Sequence, residues 1–403
     1  MFFRDVYMKS LVSIWGRGVL GVFFLLCMGL GAEAQIKLLY GPYLQNVKET
    51  EATFVWEATA PSVGWVEIAP NDGSHYYGEV RPRYFDTVNG VKRTDTRHVV
   101  HVSGLHPGTT YRYRVYAQEV LQHEGHYVAY GRIAATDVYG REPLRFTTSD
   151  WSKPTTSFLM LNDIHGRQQH LADLLAAGQH TKQDLVIFNG DMVSTMRDKQ
   201  GVFEGFMNES VRLFASEQPM YYARGNHETR GAFATSFQDY FSPCEQHLYY
   251  AFRQGPVCFI MLDCGEDKPD SDLEYYSITD YDNYRSEQAA WLETLANDPV
   301  FTTARFRIAI CHMPPSTRPD VWHGQREVME KFVPALNRLG IDLMLCGHEH
   351  RCEFEAPSGR ISFPVLTNGN ETAVVATYDG QALEVQVVDT KGSVVERKRF
   401  AGK

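Results

Sequence analysis

Apolar residues follow two rhythms along the chain, and the change comes near residue 150. Before it the pattern alternates. Residues 50–59 (TEATFVWEAT) set Ala52, Phe54 and Trp56 on one face, inward, against Thr53, Val55 and Glu57 on the other. Residues 63–69, 97–102, 110–117 and 143–148 follow, with Tyr111, Tyr113 and Val115 opposed to Arg112 and Arg114. Alternation marks a half-buried strand. Short strands separated by turn signals predict a β-sandwich over residues 35–149. His98, His101 and His106 read as ordinary strand and turn residues within it.

After a polar stretch at 149–154, strands covered on both faces alternate with helices. DLVIFNGD, residues 184–191, is apolar throughout Leu185–Phe188, as a strand buried in an α/β core should be. Helical spacing marks 168–180, 202–216, 286–297 and 327–339, the last with Pro334 as a kink and Gly340 as its stop. Beyond His350 the helices cease. Residues 361–367, 373–378, 383–389 and 394–400 read as strands that form or complete a second sheet.

Residues 1–34 have the three parts of a secretory signal: Arg4, Lys9 and Arg17, then an apolar run over 19–30, then Ala32-Glu33-Ala34 as a cleavage site. The run is shorter than the ~20 residues of a membrane span. Met8 is an alternative start. Leu26 before Cys27 is too large for the usual lipid-attachment motif, which argues against a lipoprotein. The expected location is secreted, periplasmic or extracellular. Taking the leader's three basic and two acidic residues from 39 and 49 leaves 36 against 47. An acidic chain without a basic run argues against a nucleic-acid scaffold or an anionic membrane surface. Six cysteines remain, none in a CxxC, and several sit in apolar strands as packed thiols; their pairing is not deducible.

Five of the apolar strands end in side chains able to bind metal. SFLMLNDIH ends at Asp163 and His165, DLVIFNGD at Asp191, MYYARGNHE at Asn226, His227 and Glu228, FRIAICH at His312, and IDLMLCGHEH at His348 and His350. The C-terminal ends of strands are where open α/β sheets bind ligands. A carboxylate just past such a strand is costly unless a cation or donors meet it. Imidazole, carboxylate and amide oxygen suit Zn, Mn or Fe, and one carboxylate, here Asp191, can bridge two ions. Gly190, Gly225 and Gly347 permit close backbone approach.

In this order, Asp163-x-His165, Gly190-Asp191, Gly225-Asn226-His227-Glu228, His312 and Gly347-His348-x-His350 resemble the metallophosphoesterase (calcineurin-like phosphoesterase) family. A sandwich joined in front resembles the arrangement of purple acid phosphatases. Residues 105–111 (LHPGTTY) resemble the tyrosine-corner region of fibronectin type III-like domains. The resemblance implies an α/β domain over 150–403 with two central β-sheets flanked by helices, preceded by an immunoglobulin-like all-β sandwich. It implies two divalent or mixed-valence ions from Mn, Fe and Zn. Asp163, His165, Asp191 and His350 would hold the first, and Asp191, Asn226, His312 and His348 the second. A hydroxide bridging the ions would attack phosphorus in line. His227 would protonate the leaving group and Glu228 would orient His227.

The expected substrate is a phosphorylated small molecule, with phosphomonoester hydrolysis favoured. Phosphodiester or nucleotide-pyrophosphate cleavage, and a catalytically inactive surface binding protein, stay open. Arg167 and Arg230 follow metal motifs and are candidates for phosphate oxygens. The acidic, tyrosine-rich stretch 263–284 is a candidate pocket wall, as are Trp322 and His323. The sandwich is a candidate for glycan or protein contact. One position departs from the purple enzymes, which place a tyrosine three residues after the bridging aspartate: here it is Ser194. No tyrosinate-to-iron colour is expected.

Overall fold

The computed structural model describes residues 35–137, 139–241 and 245–402, so the leader at 1–34 lies outside the described residues. The front of the chain is all β. Its spine is one long strand, Glu51–Pro70. The first half of that strand pairs with Leu38–Gln45 and Thr94–Ser103, and the second half with Thr110–Glu124, across an irregularity between Glu57 and Ser62. Phe54, Trp56, Val66, Ile68, Val100, Tyr113, Val115 and Phe146 fill the core between the halves. Alternation had placed Thr53, Val55 and Glu57 on an outward face. All three are buried. The cover is the second half of the chain: Tyr43 and Val55 share one apolar cluster with Phe203, Phe206, Met207 and Tyr240.

The junction also carries polar bonds. Glu57 accepts from Lys199 Nζ and from the Tyr240 hydroxyl, each at 2.6 Å. The Tyr113 hydroxyl donates to the Ser216 carbonyl at 2.6 Å, and the Tyr221 hydroxyl to the Val47 carbonyl at 2.9 Å. The two regions thus meet through one apolar cluster and these hydrogen bonds.

The second region holds two six-stranded sheets face to face. The first runs in the order Met220–Ala223, Leu185–Asn189, Thr156–Leu161, Thr372–Tyr378, Ala382–Asp389, Val394–Ala401; its first three strands are parallel. The second runs Tyr250–Gln254, Val257–Met261, Phe306–Ile310, Leu343–Cys346, Val365–Thr367, Glu353–Glu355, with the four middle strands parallel. Phe158, Met160 and Ile187 of one sheet pack on Phe259, Ile308 and Leu345 of the other. Helices cover the outer faces through Leu171, Leu174, Leu175 and Phe206 on one side and Leu292, Val328, Phe332 and Leu336 on the other. This is an all-β region followed by an α/β region of two stacked mixed sheets covered by helices.

Three expectations change. The last three strands extend the first sheet; only Val365–Thr367 enters the second. Alternation identifies a strand but not its neighbour, and Thr372–Tyr378 pairs antiparallel with Thr156–Leu161. The helix placed at 286–297 begins at Tyr281. Those at 202–216 and 327–339 begin at Lys199 and His323 and contain π-turns, Phe203–Met207 and Val211–Ala215 in the first and Val328–Phe332 in the second, one residue short of Pro334. Among the described residues five cysteines are free thiols, four of them buried. No described helix is long and apolar enough to cross a membrane.

His98 gives the all-β region a pH dependence. It is fully buried beside Trp56, with Nε2 2.8 Å from Ser62 Oγ. Burial pushes its imidazolium down from 6.5 to about 4. The unfolded chain therefore binds the extra proton between those values. Stability should fall as pH drops through that window, by roughly 3 kcal/mol for this group. Denaturant unfolding at pH 7 and pH 4 should show a smaller loss for His98→Gln than for the parent; equal losses would assign the acid sensitivity elsewhere.

Candidate metal centre

All the parallel strands of both sheets run toward one edge, and the turns after them converge there. Asp163 and His165 follow Thr156–Leu161, Asp191 follows Leu185–Asn189, and Asn226 follows Met220–Ala223. His312 follows Phe306–Ile310, and His348 and His350 follow Leu343–Cys346. The turns are sharp. Asp163, His165, Asp191, His348 and His350 all have positive φ, between 50° and 70°. Residues with side chains rarely hold this conformation, which costs of order 1–3 kcal/mol each where it is strained. Gly190, at φ 82°, passes so close that an added Cβ would lie 2.5 Å from the His312 ring.

The donors gather in linked sets. Ligand atoms of Asp163, His165 and His350 lie within 4.8 Å of one another, as do those of Asp191, His312 and His348 and those of His165, Asp191 and His227. Asp191 therefore belongs to two of the three sets. Asn226 Oδ1 joins at 3.2 Å from His348 Nδ1. Each carboxylate has one oxygen tied down. Asp163 Oδ2 accepts from Asn162 Nδ2 at 2.6 Å and from the His348 N–H at 3.0 Å. Asp191 Oδ1 accepts from the His227 N–H at 3.0 Å. The remaining oxygens face inward. Asp163 Oδ1 lies 3.1 Å from His350 Nε2, and Asp191 Oδ2 lies 3.1 Å from His312 Nε2. Neither approach has hydrogen-bond geometry, so Asp163 Oδ1 and His312 Nε2 are buried without a hydrogen-bond partner. The two atoms lie 3.9 Å apart.

The field in that space calls for positive charge. Burial alone would push the His312 imidazolium down; Asp191 and then Asp163 outweigh it and hold it well above its ordinary range. Burial likewise opposes ionisation of Asp191, and His312 overcomes that. His165 and His348 are pushed down by burial, which keeps their lone pairs free. His312 Nδ1 donates to the Asn189 carbonyl at 2.7 Å, fixing the tautomer that leaves Nε2 for a cation. Orphaned buried atoms, two buried carboxylates and oriented imidazoles fit two divalent ions linked by Asp191.

A family profile described as calcineurin-like phosphoesterase matches residues 156–352. Residues 156–352 are a calcineurin-like phosphoesterase domain. The domain belongs to a class of hydrolases that act on phosphoester bonds. Two uncharacterized proteins, from two strains of Mycobacterium tuberculosis, are each 28% identical over 281 residues, 64% of this chain. The alignment takes in 50% of each relative, so the chain spans about half the length of these curated relatives. Solved structures also share likeness. A phosphoesterase from E. coli is 10% identical at TM-score 0.30, covering 60% of this chain and 98% of its own. A protein of Thermus thermophilus is 14% identical at TM-score 0.39, with the same coverage. Likeness at that level carries no weight for the chemistry of the site.

Of the residues singled out in the sequence, Asp163, His165, Asp191, Asn226, His227, His312, His348 and His350 meet at this calcineurin-like centre. Glu228 stands elsewhere than expected. It is fully buried and accepts from four backbone N–H groups: Asp191 and Gly225 on Oε2, Met192 and Val193 on Oε1, at 2.7–3.2 Å. It clamps the turn that carries Asp191. His227 is oriented instead by the Ser194 carbonyl, 2.9 Å from its Nδ1. Arg167 is committed to the carbonyls of Asp163, Ile164 and Asn370 and to Glu371, which makes it a brace for the Asp163 turn. Arg230 lies at the site, Nη1 3.4 Å from His227 Nε2, with Glu266 gripping its other nitrogens at 2.7 and 2.9 Å. His323 bonds Asp282 at 2.8 Å. The supporting Asn162 and Asn189 went unremarked; the signal was a polar side chain at the end of an otherwise apolar strand.

Glu228→Gln replaces one accepting oxygen by a donor, which would face backbone N–H groups. The variant should lose about 2–3 kcal/mol of stability. Metal affinity should fall roughly 10–100-fold, read by titrating stripped protein with Zn or Mn. Unaltered affinity would show that the Asp191 turn keeps its shape without the clamp.

Proposed function

We propose that the protein is an exported, metal-dependent hydrolase of phosphomonoesters. The observation that carries it is the Asp191 carboxylate standing between two sets of inward-facing donors whose buried atoms have no protein partner. Asp163, His165, Asp191 and His350 would hold one ion; Asp191, Asn226, His312 and His348 the other. Such ions, drawn from Mn, Fe and Zn, supply Lewis acidity toward water and phosphoryl oxygen.

The chain's own part is to position and to move a proton. His227 donates through Nδ1 to Ser194, so a proton on Nε2 makes the ring an imidazolium. Asp191 Oδ2 lies 3.8 Å from Nε2 and Arg230 Nη1 3.4 Å from it. The His227 side chain is 28% exposed. When the P–O bond breaks, the leaving oxygen keeps the bonding electrons and takes the Nε2 proton, leaving neutral His227 to be reprotonated from solvent. Arg230, held by Glu266, borders the same space. Support for monoesters over diesters is the sandwich in front of the domain, as in acid phosphatases. Support for export is the leader pattern.

Asp191→Asn should lose bound metal and activity together, and chelation should abolish hydrolysis of nitrophenyl phosphate until metal is returned. His227→Gln should keep its metal while kcat falls about 10²–10⁴-fold, more for alkyl than for nitrophenyl esters. Uniform loss across leaving groups would remove His227 from the proton-donor role. Faster turnover of bis(nitrophenyl) phosphate or nucleotides than of monoesters would favour the diesterase or pyrophosphatase reading. No turnover with any metal would leave a binding protein. Iron-loaded protein should show no tyrosinate band in the visible, Ser194 standing where the tyrosine would be.

A further inference from the structure

A cavity of about 600 Å³ adjoins the metal centre, and the chemistry above does not use it. Arg230 belongs to both: Nη1 is 3.4 Å from His227, and the side chain lines the cavity. Small residues, Gly231, Ala232 and Ala234, make one wall. Tyr275, Tyr276 and Ile278 make another.

This second wall is built, not loose. The Tyr275 hydroxyl lies 3.0 Å from Glu266 Oε2 and 3.1 Å from Asp267 Oδ1, so it is anchored to the same carboxylates that hold Arg230. Directly after it, Tyr276 and Ser277 both adopt left-handed backbone, φ 49° and 61°. Two such residues in succession are disfavoured. What the strained turn achieves is to present Tyr276 and Ile278, 91% and 88% exposed, at the cavity. Large apolar side chains gathered at an opening mark a binding surface.

Charge narrows the class of occupant. Arg224 pairs with Asp263, Arg230 with Glu266 and Asp267, and Lys268 with Glu274. Three cations meet four carboxylates, and among the described residues these pairs leave no surplus positive charge beside the cavity to receive a second phosphate. Geometry narrows it further. A leaving oxygen must reach His227 Nε2, and the group next beyond that nitrogen is the Arg230 guanidinium. Whatever is bonded to the oxygen passes beside Arg230 toward the cavity that its side chain lines, whose far wall is Tyr275, Tyr276 and Ile278.

We propose that this cavity receives the alcohol portion of the substrate, and that the alcohol is uncharged and aromatic or apolar rather than a nucleoside polyphosphate. Tyr276 and Ile278 are then specificity residues. This rests on the phosphoesterase reading above, so the test separates the two. Calorimetry of the metal-loaded protein with methylphosphonate and 1-naphthylmethylphosphonate reads the cavity without turnover. The naphthyl probe should bind about tenfold tighter or more. Tyr276→Ala with Ile278→Ala should bring the probes within about threefold and leave methylphosphonate binding unchanged. Ala232→Leu, at an exposed position, should fill the cavity from the opposite wall and do the same, whatever happens to the fold of the tyrosine turn. In turnover, the double variant should raise KM for naphthyl phosphate, spare kcat, and leave glycerol 2-phosphate unaffected. Equal affinity for the probes in the parent, or tighter binding of ADP than of the naphthyl probe, would overturn the proposal. Cleavage of both esters without probe discrimination would sink the cavity assignment alone. Discrimination with no cleavage of any ester would sink the phosphoesterase reading and uphold an apolar ligand pocket.

Discussion

Two carboxylates, Asp163 and Asp191, are buried side by side, and the groups recorded against their inward oxygens among the described residues are imidazoles. Left alone, such a pair would resist ionisation, since burial and mutual repulsion both raise a carboxyl's pKa. The local structure around them keeps them charged and aimed. One oxygen of each is held by donors on the protein side. The other is left for the interior of the site, where imidazoles surround it. Left-handed backbone at five of the converging residues is the strain accepted for this aim.

The double sheet makes the convergence possible. Parallel strands deliver every turn to one edge, and stacking two such sheets doubles the number of turns that meet. One sheet supplies Asp163, His165, Asp191 and Asn226; the other supplies His312, His348 and His350. The sets that hold His350 and His312 each draw on both sheets: Asp163 and His165 with His350, and Asp191 with His312 and His348. The core between them, Phe158 and Ile187 against Phe259 and Ile308, therefore sets the spacing of the site as well as stabilising the fold.

Much of this was readable in the chain, for a physical reason. A polar side chain at the end of a wholly apolar strand has few structural uses, so Asp163, Asp191, His312 and His348 announced themselves. Glu228 did not reveal its work, because its partners are backbone N–H groups, which have no identity in a sequence. Arg167 and Arg230 looked alike by position, yet carbonyls brace one while a carboxylate pair sets the other at the site. Val55 and Glu57 were assigned to solvent because alternation predicts faces and is silent about what covers them. The meander 372–401 was recognised as strands but given the wrong sheet, since pairing is decided by tertiary contact.

Glu57 sits where the long strand of the all-β region breaks its pairing register, at the irregularity before Ser62. From that point it reaches out to Lys199 and Tyr240. A slip of one residue along this strand would turn every side chain to the opposite face. It would carry Glu57 into the inner core and point Trp56 or Ala58 at Lys199. Docking of the second region therefore favours one strand register of the first over its neighbours.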